Sequence, residues 1–320
     1  MDVATAVAPL ARRVCANIER VIVGKAEVIE HALVAVFCEG HILIEDVPGI
    51  GKTMLAKSLA RSLGCTFRRI QCTPDLLPSD ITGLEYFNQR TQAFEFRPGP
   101  VFAQVILADE INRATPRTQS ALLEAMEERQ VTVEGESRAL PRPFAVLATQ
   151  NPVELQGTFP LPEAQIDRFL LRLVLGYPAA SDEQEMLRRF RTDQPLDELR
   201  PVTSPEEVRA MQAAVRAVHV SPAVDAYTIA IARATRAHPE VELGLSPRGS
   251  LALLRTAQAL AAMRERAFVL PDDIKAMAPE VLAHRLIVSS GARLRDRTAH
   301  EIVDEVLRTV PAPVERDARP

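Results

Sequence analysis

The chain has 320 residues, of which 47% are hydrophobic, 25% charged and 4% aromatic, with no tryptophan and a formal net charge of -4. That length and composition predict about two soluble domains packed on aliphatic and alanine-rich cores, and the acidic balance disfavours nucleic acid as a partner. The four cysteines form no CxxC pair, the histidines lack metal-ligand spacing, and neither a secretory signal nor an apolar run near the ~20 residues of a membrane span is present, so a soluble protein of a reducing, cytoplasmic compartment is expected, without a structural metal.

The first half alternates short apolar runs with helical patterns. Residues 41–45, 66–71, 104–109, 144–149 and 169–174 read as strands, and helices are expected over 52–63 and 117–129, the latter with Leu122, Leu123 and Met126 on one face. Continuous apolar runs such as Val105-Ile-Leu are those of parallel strands covered on both faces, so a doubly wound α/β domain is expected.

The first strand runs into Asp46-Val-Pro-Gly-Ile-Gly-Lys-Thr53 and then directly into a helix. A glycine-rich turn in that context curls backbone N–H groups around phosphates, and the helix N-terminus adds its positive dipole. Lys52 would reach the β- and γ-phosphates and the Thr53 hydroxyl would ligate Mg2+. The general pattern has glycine where this chain has Asp46, and a carboxylate there repels phosphate unless it points away or caps loop amides.

Further on, the apolar strand ending in Asp109-Glu110 delivers two acids to the sheet edge where open α/β folds bind ligands. Asp109 would hold Mg2+ through water and Glu110 would act as general base on the attacking water. Ala148-Thr-Gln-Asn151-Pro follows another apolar strand, and Asn151 is placed to orient the same water; taken alone it is a turn residue before proline. Arg168 precedes the last strand, where an arginine can project towards a neighbour's γ-phosphate.

The pattern changes near Gly176-Tyr177-Pro178. Helices alone are expected over 181–191, 205–218, 222–237, 247–265, 271–277 and 298–309, their starts punctuated by Pro201, Pro205, Pro222, Pro247 and Pro271. Ser246-Pro247-Arg248 reads as an N-cap and first turn that fix Arg248 at a helix start, within reach of the nucleotide. For either arginine alone, a surface salt bridge is the commoner fate. The expected organisation is a nucleotide-binding domain over 1–177, a helical lid over 178–310 and a frayed tail over 311–320.

Taken together, these blocks resemble the MoxR family of AAA+ ATPases. The resemblance runs in order through VGKAEVIEHALVA, GHILIEDVPGIGKT, RIQCTPDLLPSDITG, FEFRPGPVFA, ADEINRATPRTQSALLEAMEERQVTVEG, LATQNPVELQGTFPLPEAQIDRF and LSPRGSLALLRTAQALA. It implies a P-loop core with a five-stranded parallel sheet and an all-α lid, and a hexameric ring with ATP between subunits. Lys52 and Thr53 become Walker A, with Pro48, Gly49, Ile50, Gly51 and Met54 beside the nucleotide. Asp109 and Glu110 become Walker B, Asn151 sensor 1, Arg168 the trans-acting finger and Arg248 sensor 2.

Val23-Gly24 is similar to the stretch that lies against adenine; otherwise it is a turn between helices. Gln71 is either a switch that restrains Glu110 or a polar residue at the core edge. Residues 84–97 would form an insert and 130–143 a hairpin, both directed at the ring axis. The resemblance further implies chaperone-like remodelling of a protein client beside a partner with a von Willebrand A domain. A nucleic-acid motor or regulator and a metal-chelatase subunit stay open as alternatives.

Overall fold

The computed structural model describes residues 3–152, 157–191 and 194–314. They form two compact units, one of residues 13–169 with 173–209, the other of 170–172 with those from 210 on and the start of the first helix. Part of the expected tail, 315–320, lies outside the described residues.

Two helices open the chain, α1 (Val3–Glu19) and α2 (Ala26–Phe37), the second buried along most of its length. β1 (Ile42–Glu45), α3 (Lys52–Ser62), β2 (Phe67–Gln71) and the short α4 (Pro78–Thr82) follow. Next come an antiparallel hairpin of β3 (Gly83–Asn88) and β4 (Ala93–Pro98), then β5 (Val105–Asp109) and α5 (Pro116–Glu128). A second hairpin, β6 (Gln130–Val133) with β7 (Glu136–Ala139), leads to β8 (Ala145–Gln150), α6 (Glu163–Ile166) and β9 (Leu171–Leu173).

The central sheet has the order β2-β5-β8-β1-β9 and the expected five parallel strands. β5 and β8 are buried at every position but the last, as strands covered on both faces must be. Leu43, Ile106 and Val146 of the sheet share a core with Leu122, Leu123 and Met126 of α5, the helix face read from the sequence. The register fixes where the strands end: Gln71 lies opposite Asp109, Ala108 opposite Ala148, and Ile44 opposite Thr149. Parallel strands in this register bring their C-terminal residues to one edge.

The remaining elements are α7 (Ala180–Arg189), α8 (Pro195–Glu198), α9 (Pro205–Val215), α10 (Pro222–Ala237), β10 (Val241–Leu243), α11 (Pro247–Met263), α12 (Pro271–Leu282), β11 (Ile287–Val288), α13 (Ser290–Arg293) and α14 (Ala299–Thr309). Proline occupies the first turn of α8 and of α10 to α12, where its missing N–H costs nothing. Two expectations need correction. Pro201 opens no helix and sits in the connection before α9, and α8 begins instead at Pro195. The helical region also holds a small antiparallel pair, β10 with β11, whose strands are too short to leave a periodic signal in the sequence. Among the described residues no helix is long and apolar enough to cross a membrane.

Candidate functional site

β1 is the sheet's anchor for the glycine-rich loop over 46–51. Its pairing with β8 continues one residue further, since the Asp46 N–H donates to the Gln150 carbonyl at 3.2 Å. The chain then turns through Gly49 (φ +87°) and Gly51 (φ +97°), both in the left-handed region that glycine enters at little cost. Nothing lies within 4 Å of a Cβ built at either, so the glycines are required by conformation and not by crowding. α3 starts at Lys52 with no side-chain cap and no acidic residue in its first turn. Its unsatisfied N–H groups and positive end are therefore open to an anion.

Lys52 donates from Nζ to the Asp46 backbone carbonyl at 2.6 Å. Burial lowers the Lys52 pKa, and the nearby charges of Asp46, Asp109 and Glu110 oppose that fall. One ammonium thus senses the loop acid and both acids at the end of β5.

Those two acids are held differently. Asp109 Oδ1 accepts from the Thr149 hydroxyl at 2.6 Å, while Oδ2 accepts from Arg69 Nη2 at 2.6 Å and Nε at 3.1 Å. The Thr149 oxygen in turn accepts the Glu110 N–H at 2.8 Å. Glu110 lies in the left-handed region at φ +56°, a conformation that a non-glycine residue keeps only when its surroundings impose it. Its carboxylate accepts from Gln71 Nε2 at 3.2 Å and pairs with Arg113 Nε at 3.2 Å. Gln71 Oε1 accepts from Arg69 Nη2 at 2.5 Å, so Arg69 and Gln71 bridge the two acids.

Among the described residues no group of three or more His, Cys, Asp or Glu could hold a metal ion. The donor set present, the Thr53 hydroxyl in the first turn of α3 and the Asp109 carboxylate, suits a hard cation that takes its other ligands from phosphate and water.

Beside the loop is a cleft of about 800 Å³. Ile22 and Val23 form one wall, Pro48, Gly49, Ile50, Gly51 and Met54 another, and Leu175, Tyr177, Met186 and Phe190 close it. Lys52, Thr53 and Asp109 do not line it. Nor does Gly24, whose φ of +70° and closeness to Asp182 make it the turn behind Val23: a Cβ there would stand 2.0 Å from the Asp182 carboxylate.

Asn151 is buried just past the end of β8. Arg168 follows α6 and is paired through Nε with Glu127 of α5 at 2.9 Å. Arg248 is in the second turn-forming position of α11, after the Ser246 cap, whose hydroxyl accepts the Gly249 N–H at 3.2 Å. It belongs to the other compact unit. Sequence reasoning missed Arg69, Thr149 and the apolar wall of Tyr177, Met186 and Phe190. The only available signal was position: Arg69 precedes Gln71 by one strand period, and Thr149 ends the apolar run before Asn151.

Residues 41–171 match the ATPase family associated with various cellular activities (AAA), and residues 233–306 match an AAA lid domain. The chain is 48% identical to YeaC of Bacillus subtilis, with 97% of each chain covered. It is 40% identical to the chaperone MoxR1 of Mycobacterium tuberculosis over 93% of this chain and 81% of that one. A solved structure from Cytophaga hutchinsonii superposes with a TM-score of 0.91 at 37% identity, covering 98% of this chain and 97% of the other.

Proposed function

Because the chain belongs to the MoxR family of AAA+ ATPases, we propose that it is a Mg2+-dependent, cytoplasmic ATPase whose hexameric ring remodels a protein client beside a partner carrying a von Willebrand A domain. The observation that carries the hydrolytic part is the meeting of Lys52, Asp109 and Glu110 around one sheet edge, with Gln71 on the Glu110 carboxylate.

In this reading the triphosphate lies over the N-terminus of α3, and Lys52 exchanges the Asp46 carbonyl for phosphate oxygens. Thr53 and Asp109 would hold Mg2+, the latter through water, and the ion would supply neutralisation of charge on the phosphates. Glu110 takes the proton of the attacking water once Gln71 lets it go, and Asn151 orients that water. The base occupies the cleft beside Val23, with Gly24 shaping the turn behind it. Arg168 serves a neighbouring subunit, and Arg248 acts from the helical unit. A surface pair such as Arg168–Glu127 contributes about 0–1 kcal/mol, so it does not prevent Arg168 from moving to a phosphate. The hairpin β3–β4 and that of β6–β7 face the ring axis and the client.

The test mixes two inactive proteins. Arg168→Ala should bind ATP without turnover, and adding Lys52→Ala should restore activity at hybrid interfaces. A wild-type protein that neither binds ATP with Mg2+ nor self-associates would overturn the proposal.

A further inference from the structure

We propose that Asp46, standing where the general phosphate-loop pattern has glycine, is a positioning residue for the nucleotide base: together with Lys25 it pins the 175–178 wall of the cleft. The inference rests on the nucleotide reading above and deepens it.

Asp46 is only 8% exposed, and a buried carboxylate is costly unless it is hydrogen-bonded. Both of its oxygens are used by backbone amides. Oδ1 accepts the Val47 N–H at 2.9 Å, and Oδ2 accepts the Gly176 N–H at 2.6 Å, across 130 residues of sequence. The first bond caps an amide of the loop itself. The second ties the end of β1 to the segment leaving β9, its neighbour in the sheet.

Gly176 adopts φ +62° with open space around its would-be Cβ, so glycine is there for its backbone shape. One residue on, the Tyr177 carbonyl accepts from Lys25 Nζ at 3.0 Å. The segment is therefore held through its backbone at two successive residues, by Asp46 from the phosphate loop and by Lys25 from the turn before α2. Its side chains, Leu175 and Tyr177, are left to line the cleft together with Val23. Asp46 thus acts on the part of the ligand that fills the cleft, and not on the phosphates, which its charge repels.

A charge-assisted hydrogen bond of this kind corresponds to an affinity change on the order of tenfold to a hundredfold. The experiment measures displacement of a fluorescent ATP analogue by ATP and, separately, by inorganic tripolyphosphate, which has no base. Asp46→Gly should weaken ATP at least tenfold and leave tripolyphosphate unchanged or tighter. Asp46→Asn, keeping one acceptor oxygen, should fall between wild type and Asp46→Gly. Lys25→Met should show the same split and carries the test if Asp46→Gly does not fold. Equal weakening of ATP and tripolyphosphate, or no weakening of ATP, would overturn the proposal. If the wild type binds no ATP, the nucleotide reading itself fails, which is a separate and recognisable result.

Discussion

Both units bury polar side chains, but they spend them on different tasks. In the helical unit the bonds that cap and brace the helices are close in sequence. Ser221 and Ser246 accept the N–H groups three residues on, and Asp273 accepts that of Leu270 three residues back. Thr228 and Thr256 donate to carbonyls one turn earlier. Each completes its own helix. At the sheet edge of the α/β unit the partners are remote: Thr149 reaches Asp109 and Glu110, Gln71 reaches Glu110, and Asp46 reaches Gly176. Burial of a polar group therefore does not mark a site. Nor does a remote partner by itself, since buried Asn17 donates to Ser62 and Arg285 to the Leu170 carbonyl; what sets this edge apart is that its remote bonds converge on two neighbouring acids.

The contrast is sharpened first by Glu110→Gln. Turnover should drop by about 10²–10⁴-fold with the melting temperature unchanged and ATP still bound, as read by phosphate release and a thermal scan. Rapid turnover by the variant would remove Glu110 from the chemistry. In the helical unit the largest effect is expected from Arg266→Ala, which strips Asp273, 1% exposed, of the guanidinium that grips both of its oxygens at 2.5 Å. Denaturant unfolding should show a loss of about 3 kcal/mol. Thr149→Val should lower turnover about tenfold, equivalent to about 1.4 kcal/mol, since it deprives the Glu110 N–H and the Asp109 carboxylate of one shared hydroxyl. The smallest effect is that of Thr298→Ala, the N-cap of α14 and half of its capping box with Glu301. It should cost about 1 kcal/mol of stability and leave turnover per folded molecule intact. A fall in that specific turnover would break the division between the units.

What could be read from the sequence was what is contiguous in it. The phosphate loop, the acid pair and the five strands are each written in one short stretch, where spacing alone carries the physics. The meeting of Arg69 with Asp109, and of Asp46 with Gly176, depends on the strand order β2-β5-β8-β1-β9, which no local pattern states. The alternatives left open at Gln71 and Asp46 are of the same kind: each concerned a partner far along the chain. The hairpin over 83–98 takes in the insert that the resemblance gives as 84–97; alternation does not reveal it, because aromatic and polar residues share both of its faces. The pair β10–β11 escaped for want of length.

The bond from Lys52 to its own loop's carbonyl has a consequence for how a ligand arrives. An ammonium with no internal acceptor would be dressed in water that must be stripped at the moment of capture. Here part of that shell is already replaced by the peptide oxygen, so capture amounts to a swap of one acceptor for a more strongly charged one. A lysine held by its own loop in this way is ordered by the chain itself, so the cost of fixing it is met during folding.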